Sequence, residues 1–569
     1  MPDTDEGAAR RLAEELRLRP PAARVLCRRG LAEPAAARRF LQPRLEDLHD
    51  PFRLAGMHQA VERLRRAIAA RERTLIYGDY DVDGTTSVVI LKKAIEMAGG
   101  TADFHVPHRL KDGYGMRPEV VDRAAAEGVR LIVSVDTGIR ASQVVRHAGG
   151  CGIDVIVTDH HLPEAELPPA LAVINPNRPD CRYPEKNLCG VGVTFKLAQA
   201  LLQTLTWPPS KLRRTLESFL KLVAIGTVAD VVPLVGENRV IVKHGLEGLR
   251  AVNNPGLRAI LDVAGLSAGV APTAGQIAFR VAPRINAAGR MATANAVIEM
   301  FLTPDPERAR QLAQELHALN TERQQTEMDI VAAILEDCER APVTDRDAAL
   351  VFAGDDWHRG VLGIVASRLV ERFHRPAFVL GHNPEDGLAQ GSGRSIPGFH
   401  LLEALEALRD LFVKFGGHEH AAGVTIESAR VDEFRRRLNR HAAGRLSPED
   451  FVEILEVDAI VELSELTETA VFEVLSLAPF GYGNPTPLVA CRGVELTGEP
   501  ALMKEKHLRL AVRQAGRTLV MKAFNFADRV DELRGRLDVA FTVEEDTYSA
   551  ARGYPGWAAT IRDFRAALC

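Results

Sequence analysis

Short apolar runs recur in the first half of the chain, and they predict buried β-strands. The clearest runs cover residues 74–77, 131–135, 155–157 and 171–174. They are rich in Val, Ile and Leu and carry no charge, which is typical of strands that are covered on both faces. Helical patterns separate them, such as residues 85–98, which Gly99 and Gly100 close. This alternation predicts a parallel sheet built from βαβ units.

The longest helical pattern covers residues 306–340, and it contains no glycine or proline after Pro306. A helix of that length would extend about 50 Å. Such a length suits a connection between two domains better than a helix inside one core. One domain on each side of this helix is therefore expected.

The pattern changes after the long helix. A second α/β unit covers residues 347–445, and a β-rich stretch follows. In that stretch Leu508, Leu510 and Val512 alternate with polar residues such as Arg509. Further strand candidates cover residues 519–524, 537–543 and 557–561. Short strands with turn signals between them predict a small β-barrel.

Acidic residues and histidines directly follow three of the predicted strands. The first strand is followed by Asp79, Asp81 and Asp83, the second by Asp136, and the third by Asp159, His160 and His161. In a doubly wound sheet, ligands bind beyond the carboxyl ends of the strands. A further acid, Asp230, ends an apolar helical pattern. These side chains are therefore expected to meet at one edge of the sheet.

Carboxylates gathered at one edge repel each other unless cations neutralise them. Oxygen ligands with a minority of imidazoles favour Mg²⁺ or Mn²⁺, and the histidines favour Mn²⁺ of the two. Each acid could instead cap a helix or a loop, as acids after strands often do. That alternative explains single residues but not the whole set.

Composition narrows the class of protein. The 569 residues are 46% hydrophobic and 26% charged with a net charge of −5, the values of an ordinary globular protein of several domains. The seven cysteines are scattered, and the closest pair, Cys181 and Cys189, lacks a CxxC motif, so ordinary thiols are favoured over zinc or disulfides. No secretory signal or membrane-spanning run is evident, so a cytoplasmic protein without a membrane partner is expected.

Five short motifs resemble those of the DHH phosphoesterase superfamily. They are Asp-x-Asp-Gly at 81–84, Val-Asp-Thr-Gly at 135–138, Asp-His-His at 159–161, Ala-Asp-Val-Val-Pro at 229–233 and Gly-Gly-His-Glu-His-Ala-Ala-Gly at 416–423. The last resembles the signature of the accompanying DHHA1 domain. Many members place a histidine four residues before the first aspartate of Asp-x-Asp, but this chain has Tyr77 there. Asp79 is the candidate replacement.

The resemblance implies two Mn²⁺ or Mg²⁺ ions in one active site, with a shared water that attacks phosphorus. The implied metal ligands are Asp79, Asp81, Asp83, Asp136, His160 and Asp230. His161 is either a ligand or a contact to the scissile phosphate. Asp136, His160 and His161 are the implied catalytic residues, and Asp159 is a candidate acceptor that orients His160.

Three further features resemble RecJ-like exonucleases, which degrade single-stranded DNA from the 5′ end. Arg280 and Asn286 belong to a basic segment that could contact phosphate and sugar. Ser392, Arg394 and Ser395, with His418 in the same domain, could hold the 5′ terminus, with Arg109 as another phosphate contact and Tyr114 stacking on a base. Lys504, Lys506 and Arg509 lie in the β-rich stretch, which resembles an OB-fold. A solvated loop, a plain turn and a solvated strand face are the respective alternatives.

The expected fold is α/β, with a parallel-sheet DHH domain, a long helix, a smaller α/β DHHA1 domain and an OB-like β-barrel. The expected bounds are 1–50 for an N-terminal helical segment, 51–304 for the DHH domain, 305–340 for the helix, 341–448 for the DHHA1 domain and 449–569 for the barrel. Single-stranded DNA is the expected partner, with a single-strand-binding protein and a recombination helicase as further candidates, and a monomer is expected.

Two other functions fit the same motifs. A DHH nano-RNA or cyclic-dinucleotide phosphodiesterase would not need the extra barrel. A non-catalytic DNA-binding scaffold of the same fold would have lost metal ligands, whereas this chain retains them. Both observations favour a DNA exonuclease that acts in recombination and repair.

Overall fold

Three β-sheets organise the chain in this computed structural model, which describes residues 5–109, 111–546, 552 and 555–567. The other residues of the expected segments 1–50, 51–304 and 449–569 lie outside the described part. Three short helices begin the described chain, and Pro20 and Pro34 stand in the first turns of the second and third, where a missing N–H is tolerated. They are α1 (Glu6–Leu16), α2 (Pro20–Arg28) and α3 (Pro34–Leu41).

The first sheet is entirely parallel, as expected from the sequence. Its strands are β1 (Arg73–Tyr77), β2 (Ala102–His105), β3 (Val129–Val135), β4 (Asp154–Thr158) and β5 (Ala172–Ile174). Their order is β2-β1-β3-β4-β5, so the chain reverses its direction of travel between β1 and β3. β2 is not among the strands predicted from the sequence, because only Ala102 of this edge strand is buried and no apolar run marks it.

Helices cover both faces of this sheet. The helices are α4 (Met57–Ala69), α5 (Val82–Met97), α6 (Pro118–Ala126), α7 (Ser142–Gly150), α8 (Gly190–Gln203), α9 (Pro209–Ala229), α10 (Gly236–Gly248), α11 (Pro255–Val263), α12 (Ala274–Gln276), α13 (Ala282–Met291) and α14 (Asn295–Leu302). The larger core contains α4, α5, α8 and α9, and the smaller core on the opposite face contains α6 and α7. A π-helical turn, Ile277–Val281, joins α12 to α13.

The long helix α15 (Pro306–Arg340) belongs to two cores. Ala309, Leu312 and Leu316 lie in the core of the first domain. Ile330 and Ile334 lie in a core of the second α/β domain. The helix therefore connects the two domains and fixes their relative position by packing into both.

The second sheet is mixed. Its domain contains β6 (Leu350–Asp355), α16 (Leu362–Phe373), β7 (Ala377–Asn383), β8 (Leu388–Arg394), α17 (Leu401–Ala407), β9 (Phe412–Gly417), β10 (Ala421–Glu427) and α18 (Val431–Ala443). The strand order is β6-β7-β8-β10-β9, with only the first pair parallel. The carboxyl end of β8 and the turn between β9 and β10 lie at the same edge.

The third sheet closes into a barrel. Its elements are β11 (Ala459–Ile460), α19 (Glu468–Leu475), β12 (Leu488–Leu496), β13 (Ala501–Met503), β14 (His507–Gln514), β15 (Arg517–Ala523), β16 (Arg536–Glu545) and β17 (Trp557–Ala566). The order is β11-β12-β16-β17-β15-β14-β13, and an additional pairing of β12 with β14 closes the barrel. Leu508, Leu510 and Val512 point into its core, as their alternation predicts.

The N-terminal helices complete the core of this barrel. Leu12, Val25, Leu26 and Phe40 belong to the same apolar cluster as the barrel strands. The buried guanidinium of Arg239 in α10 connects this assembly to the first domain, because it donates to the carbonyls of Phe40, Leu477 and Ala478. In the described part of the chain, every helix is too short or too polar to cross a membrane.

Candidate active site

The carboxyl ends of β1, β3 and β4 bring the predicted acids and histidines together. His160 lies at the centre of the group. Its Nε2 is 3.3 Å from Asp136 Oδ1, 3.7 Å from Asp230 Oδ2 and 3.9 Å from Asp83 Oδ2. Asp230 reaches the group from the end of α9, where it follows Ala229. Residues separated by about 150 positions in the sequence thus form one cluster.

The cluster contains overlapping sets of metal-ligating atoms. Within each set the candidate ligand atoms lie within 4.8 Å of one another. The sets are Asp79, Asp81 and Asp136; Asp83, His160 and Asp230; and Asp136, His160 and His161. Because Asp136 belongs to one set with Asp79 and Asp81 and to another with the histidines, it stands between two neighbouring ligand groups.

Buried polar atoms without partners show that the group fits divalent cations. Asp79 Oδ1, Asp136 Oδ1 and His160 Nε2 are buried and have no hydrogen-bond partner. Leaving such atoms unsatisfied in the interior is costly. Carboxylate oxygens with one or two imidazole nitrogens are the donors that Mn²⁺ and Mg²⁺ accept. A pair of cations would satisfy all three atoms.

The acids perturb one another strongly. Burial and the charge of Asp81 raise the pKa of Asp83 to about 7, and burial and Asp83 raise the pKa of Asp230 to about 9. Burial, together with neighbouring carboxylates, also raises the pKa of Asp79 and of Asp136 well above the ordinary range. The cations that neutralise these carboxylates would therefore compete with protons for the same oxygens.

His160 is held as a neutral imidazole. Burial, and then the nearby His161, lower the pKa of His160 to about 4. Neutral imidazole is the form that binds metals. The sequence suggested Asp159 as the acceptor that orients the His160 ring, but the Asp159 carboxylate contacts the His161 ring instead. Its Oδ1 accepts the backbone N–H groups of His160 and His161 and lies 2.7 Å from His161 Nδ1.

His161 differs from His160 in charge as well as in position. Burial opposes protonation of His161, but the hydrogen bond to Asp159 and the charges of Asp159, Asp83 and Asp81 together outweigh burial, so the pKa of His161 is raised. The hydroxyl of Tyr114 lies 3.3 Å from the same Nδ1, and the two rings meet edge to face. His161 therefore lies partly exposed on the rim of the cluster, in surroundings that favour its protonated form.

Close backbone packing fixes the ligands. The backbone N–H groups of Gly190 and Val191, at the start of α8, donate to both oxygens of Asp83 at 2.6 and 2.7 Å. A Cβ on Gly190 would lie 2.5 Å from Asp136 Oδ1, so only glycine fits there. Asp136 and Val231 both adopt left-handed backbone conformations, with φ of 59° and 58°. Such strain in residues other than glycine is concentrated at functional sites.

Three arginines lie next to the carboxylate cluster. Arg394 ends β8 in the second domain, whereas Arg109 and Arg290 belong to the first domain. Burial and the charges of Arg109, Arg323 and Arg394 lower the pKa of Arg290 to about 9, and burial and Arg109 lower the pKa of Arg394. Within the described residues, none of the three forms an ion pair with a carboxylate. Three neighbouring positive charges without carboxylate partners form a cationic pocket that would favour an anion.

The hydrogen bonds of Arg394 leave one edge of its guanidinium free. Nη1 donates to Ser392 Oγ and to Gly393 O, both at 2.8 Å. No described residue accepts from Nε or Nη2. A Cβ on Gly363 would lie 2.9 Å from Nη2, so this glycine makes room for the side chain. Ser395 Oγ donates to Phe399 O instead of facing the arginines.

The remaining predicted contacts surround this pocket at different distances. His418 is exposed near Arg394, whose charge is among the causes that lower the pKa of His418 after burial and His420. Asn286 Oδ1 accepts the N–H of Val82, 3.2 Å away, beside the metal-ligand group. Arg280 is exposed and lies against Gly265, while Arg290, which the sequence analysis did not select, reaches the pocket.

A groove of about 630 Å³ leads away from the cluster along α13 towards the barrel. Asn286 and Arg290 line it, and so do the exposed rings of Phe279 and Tyr482, which are 84% and 63% exposed. Lys504, Lys506 and Arg509 are exposed on β14 and on the turn that precedes it. The signal for Phe279 and Tyr482 was absent from the sequence, because only the fold brings these loops together.

Comparisons with known proteins match three parts of the chain. Residues 73–227 match the DHH family, N-terminal domain, residues 346–444 the DHHA1 domain and residues 457–554 the RecJ OB domain. A single-stranded-DNA-specific exonuclease RecJ from Dickeya dadantii is 41% identical over 84% of this chain and 84% of its own length. This chain belongs to the RecJ family.

Other RecJ proteins show the same relationship. The Bacillus subtilis RecJ is 40% identical over 92% of this chain, which spans 65% of that protein's length. The crystal structure of Thermus thermophilus RecJ in complex with Mn²⁺ has a TM-score of 0.83 at 31% identity and covers 99% of this chain and 78% of its own. The same RecJ with Mg²⁺ has a TM-score of 0.77. The resemblance inferred from the motifs is therefore confirmed, as is the arrangement of DHH, DHHA1 and OB-like domains.

Proposed function

We propose that this chain is a single-stranded-DNA-specific exonuclease that removes 5′-mononucleotides in recombination and repair. One observation carries the proposal: Arg109 and Arg290 of the first domain and Arg394 of the second lie close enough to lower one another's pKa, and within the described residues none of them forms an ion pair with a carboxylate. A metal-ligating cluster suits hydrolysis of a phosphodiester, and an adjacent cationic pocket suits the phosphate that ends the strand.

Two Mn²⁺ or Mg²⁺ ions fit the ligand sets. Asp79, Asp81 and Asp136 would hold one, and Asp83, His160 and Asp230 would hold the other. Bound cations at such a site supply a water of lowered pKa and stabilise negative charge at phosphorus and on the leaving oxygen. The protein keeps the ligands in place through the α8 N-terminus and the strained backbone of Asp136.

His161 is proposed to contact the scissile phosphate. Asp159 occupies its Nδ1, so Nε2 is the nitrogen left to donate. The raised pKa of His161 favours the protonated ring, which donates a charge-assisted hydrogen bond to a phosphate oxygen. Asp159 acts as the positioning residue, since it also binds the backbone of both histidines.

Direction follows from the position of the cationic pocket. Arg109, Arg290 and Arg394 would bind the 5′-terminal phosphate and place the first phosphodiester over the metal-ligand cluster. The rest of the strand would leave along the groove, where Phe279 and Tyr482 offer ring faces to bases, and continue towards Lys504, Lys506 and Arg509. Neither the cationic pocket nor the groove contacts base edges in this arrangement, so no sequence preference is expected.

The proposal extends to the cell. We place the protein in the cytoplasm, as a monomer that works with a single-strand-binding protein and a recombination helicase. We also propose domain boundaries at residues 50, 304, 340 and 448. The boundaries at 304 and 340 enclose α15, which contributes to the cores of the domains on both sides of it.

End-labelled oligonucleotides test the proposed activity. A 5′-labelled single strand with Mn²⁺ should lose its label at once as a mononucleotide, and a 3′-labelled strand should shorten progressively. EDTA should abolish both reactions, and blunt duplex should resist cleavage. Immediate release of a 3′-terminal mononucleotide would contradict the direction, and activity in EDTA would contradict the metal site.

A further inference from the structure

A second group of metal-ligating side chains lies on the outer face of the first domain. It consists of Asp122 in α6, His147 in α7 and Cys151, which directly follows α7. His147 Nε2 is 2.6 Å from Asp122 Oδ1 and 3.9 Å from Cys151 Sγ. One ligand atom from each residue lies within 4.8 Å of the other two.

These distances are close to those of a tetrahedral zinc site. With Zn–N, Zn–O and Zn–S bonds of about 2.0, 2.0 and 2.3 Å, neighbouring ligand atoms stand about 3.3 Å (N to O) and about 3.6 Å (N to S) apart. The observed N to O separation of 2.6 Å is shorter than the first value by about 0.7 Å, and the observed N to S separation of 3.9 Å is longer than the second by about 0.3 Å. Asp122 and His147 are exposed and Cys151 is partly exposed, so all three side chains have room to rotate towards an ion.

The ligand types differ from those of the active site. A thiolate and an imidazole with one carboxylate select zinc over Mn²⁺ or Mg²⁺, whereas the active-site cluster consists mostly of oxygen atoms. The place also differs. Since α7 runs from the carboxyl end of β3 to the start of β4, Cys151 lies at the sheet edge opposite the active-site cluster.

We propose that Asp122, His147 and Cys151 bind one Zn²⁺ ion, with water as the fourth ligand. The ion takes the place of the Nε2 proton that lies between His147 and Asp122 and of the thiol proton of Cys151. The metal-bound neutral imidazole carries its one proton on Nδ1, and the thiol proton goes to solvent. It connects α6 to α7 and thereby stabilises the helix layer that covers this face of the sheet. It takes no part in the hydrolysis of DNA.

Cobalt is a suitable probe, because a Co²⁺–thiolate bond gives a near-ultraviolet charge-transfer band and oxygen ligands do not. Metal-free protein is first loaded with excess Mn²⁺ to fill the active site and then titrated with Co²⁺. The wild type should develop the band at one equivalent, and Zn²⁺ should bleach it by displacement. Cys151→Ser should abolish the band, and His147→Ala should weaken Co²⁺ binding about tenfold or more.

The control is Cys338→Ser, which removes another partly exposed thiol. Among the described residues, Cys338 belongs to none of the groups that could hold a metal ion. It should retain the band. In the same Mn²⁺ buffer, Zn²⁺ should raise the melting temperature of the wild type and of Cys338→Ser but not of Cys151→Ser, and Cys151→Ser should keep full nuclease activity. A wild type without the band, or a band that survives Cys151→Ser, overturns the proposal.

Discussion

Replacing Arg394 with alanine should remove most of the advantage that a 5′-terminal phosphate gives to a DNA substrate. The guanidinium ends β8 and lies among Arg109 and Arg290, beside the metal-ligand cluster. Its Nη1 is occupied by Ser392 and Gly393, and the Nε and Nη2 edge faces no described acceptor. That edge has the geometry to bind two phosphate oxygens at once.

The size of the effect follows from these contacts. A charge-assisted hydrogen-bonded pair contributes about 1.5–3 kcal/mol. That range corresponds to about ten- to a hundredfold in kcat/KM. The two hydrogen bonds to Ser392 and Gly393 do not depend on the substrate, so their loss affects both substrates equally and cancels in the comparison.

The assay measures kcat/KM for 5′-phosphate and 5′-hydroxyl strands on the wild type and on Arg394→Ala. The four values form a thermodynamic cycle, whose coupling free energy isolates the pair. Arg394→Lys should show an intermediate preference, because lysine keeps the charge but loses the bidentate geometry. Arg435→Ala is a control from the same domain, since Arg435 is a more exposed arginine of the second domain that bonds Val351 and Asp432.

A coupling free energy near zero would refute this assignment even if the protein proves to be an exonuclease. So would an equal loss of preference in Arg435→Ala, because the effect would then come from destabilising the second domain. If Arg394→Ala lowers the rate on both substrates by the same factor, the guanidinium supports the fold of the pocket and does not bind the terminus.

Three further predictions concern the metal site and the barrel. Asp136→Ala should leave about a thousandth of the activity or less while DNA binding persists, because two of the three overlapping ligand sets lose a member; equal loss of binding would point to unfolding. In EDTA, the raised pKa values of Asp83 (about 7) and Asp230 (about 9) mean that the folded protein holds protons which the unfolded chain releases above about pH 4. Stability from this source falls as pH rises from about 4 to 9, so Asp230→Asn should raise the melting temperature more at pH 9 than at pH 6, and an equal rise at both would contradict the shift. Replacing three exposed cations of the barrel together should weaken binding to long single strands and flatten its salt dependence, with little change for short oligonucleotides at saturation; unchanged salt dependence would remove them from the DNA path. The three are Lys504, Lys506 and Arg509.

The sequence was sufficient for features that depend on local pattern. Apolar runs located β1, β3, β4 and β5, and the rule that parallel strands present ligands at their carboxyl ends placed Asp81, Asp136 and His160 together before any coordinates. The order of the motifs along the chain also selected the candidate metal ligands, which stay a prediction. The RecJ family assignment made on these motifs is confirmed.

Features that depend on packing between distant segments could not be predicted. Arg290 lies near the end of α13, five residues before α14 begins, and nothing in its local sequence separates it from Arg280, which lies on the surface. The role of Asp159 was also misjudged, because a carboxylate next to two histidines can reach either ring. The edge strand β2 was missed, since it is mostly solvent-facing and carries no apolar run.

The shared core of the N-terminal helices and the barrel has a consequence for synthesis on the ribosome. Arg24 in α2 donates to the carbonyl of Ile460, 436 residues later in the chain. At 5–20 residues per second, the ribosome needs roughly 20–90 s to make that stretch. During this time the apolar faces that contain Leu12, Val25 and Leu26 have no native surface to cover them. The nascent chain therefore carries exposed apolar surface on its N-terminal helices for most of its translation. A chaperone that covers these helices during synthesis would protect this protein more than one that acts after release.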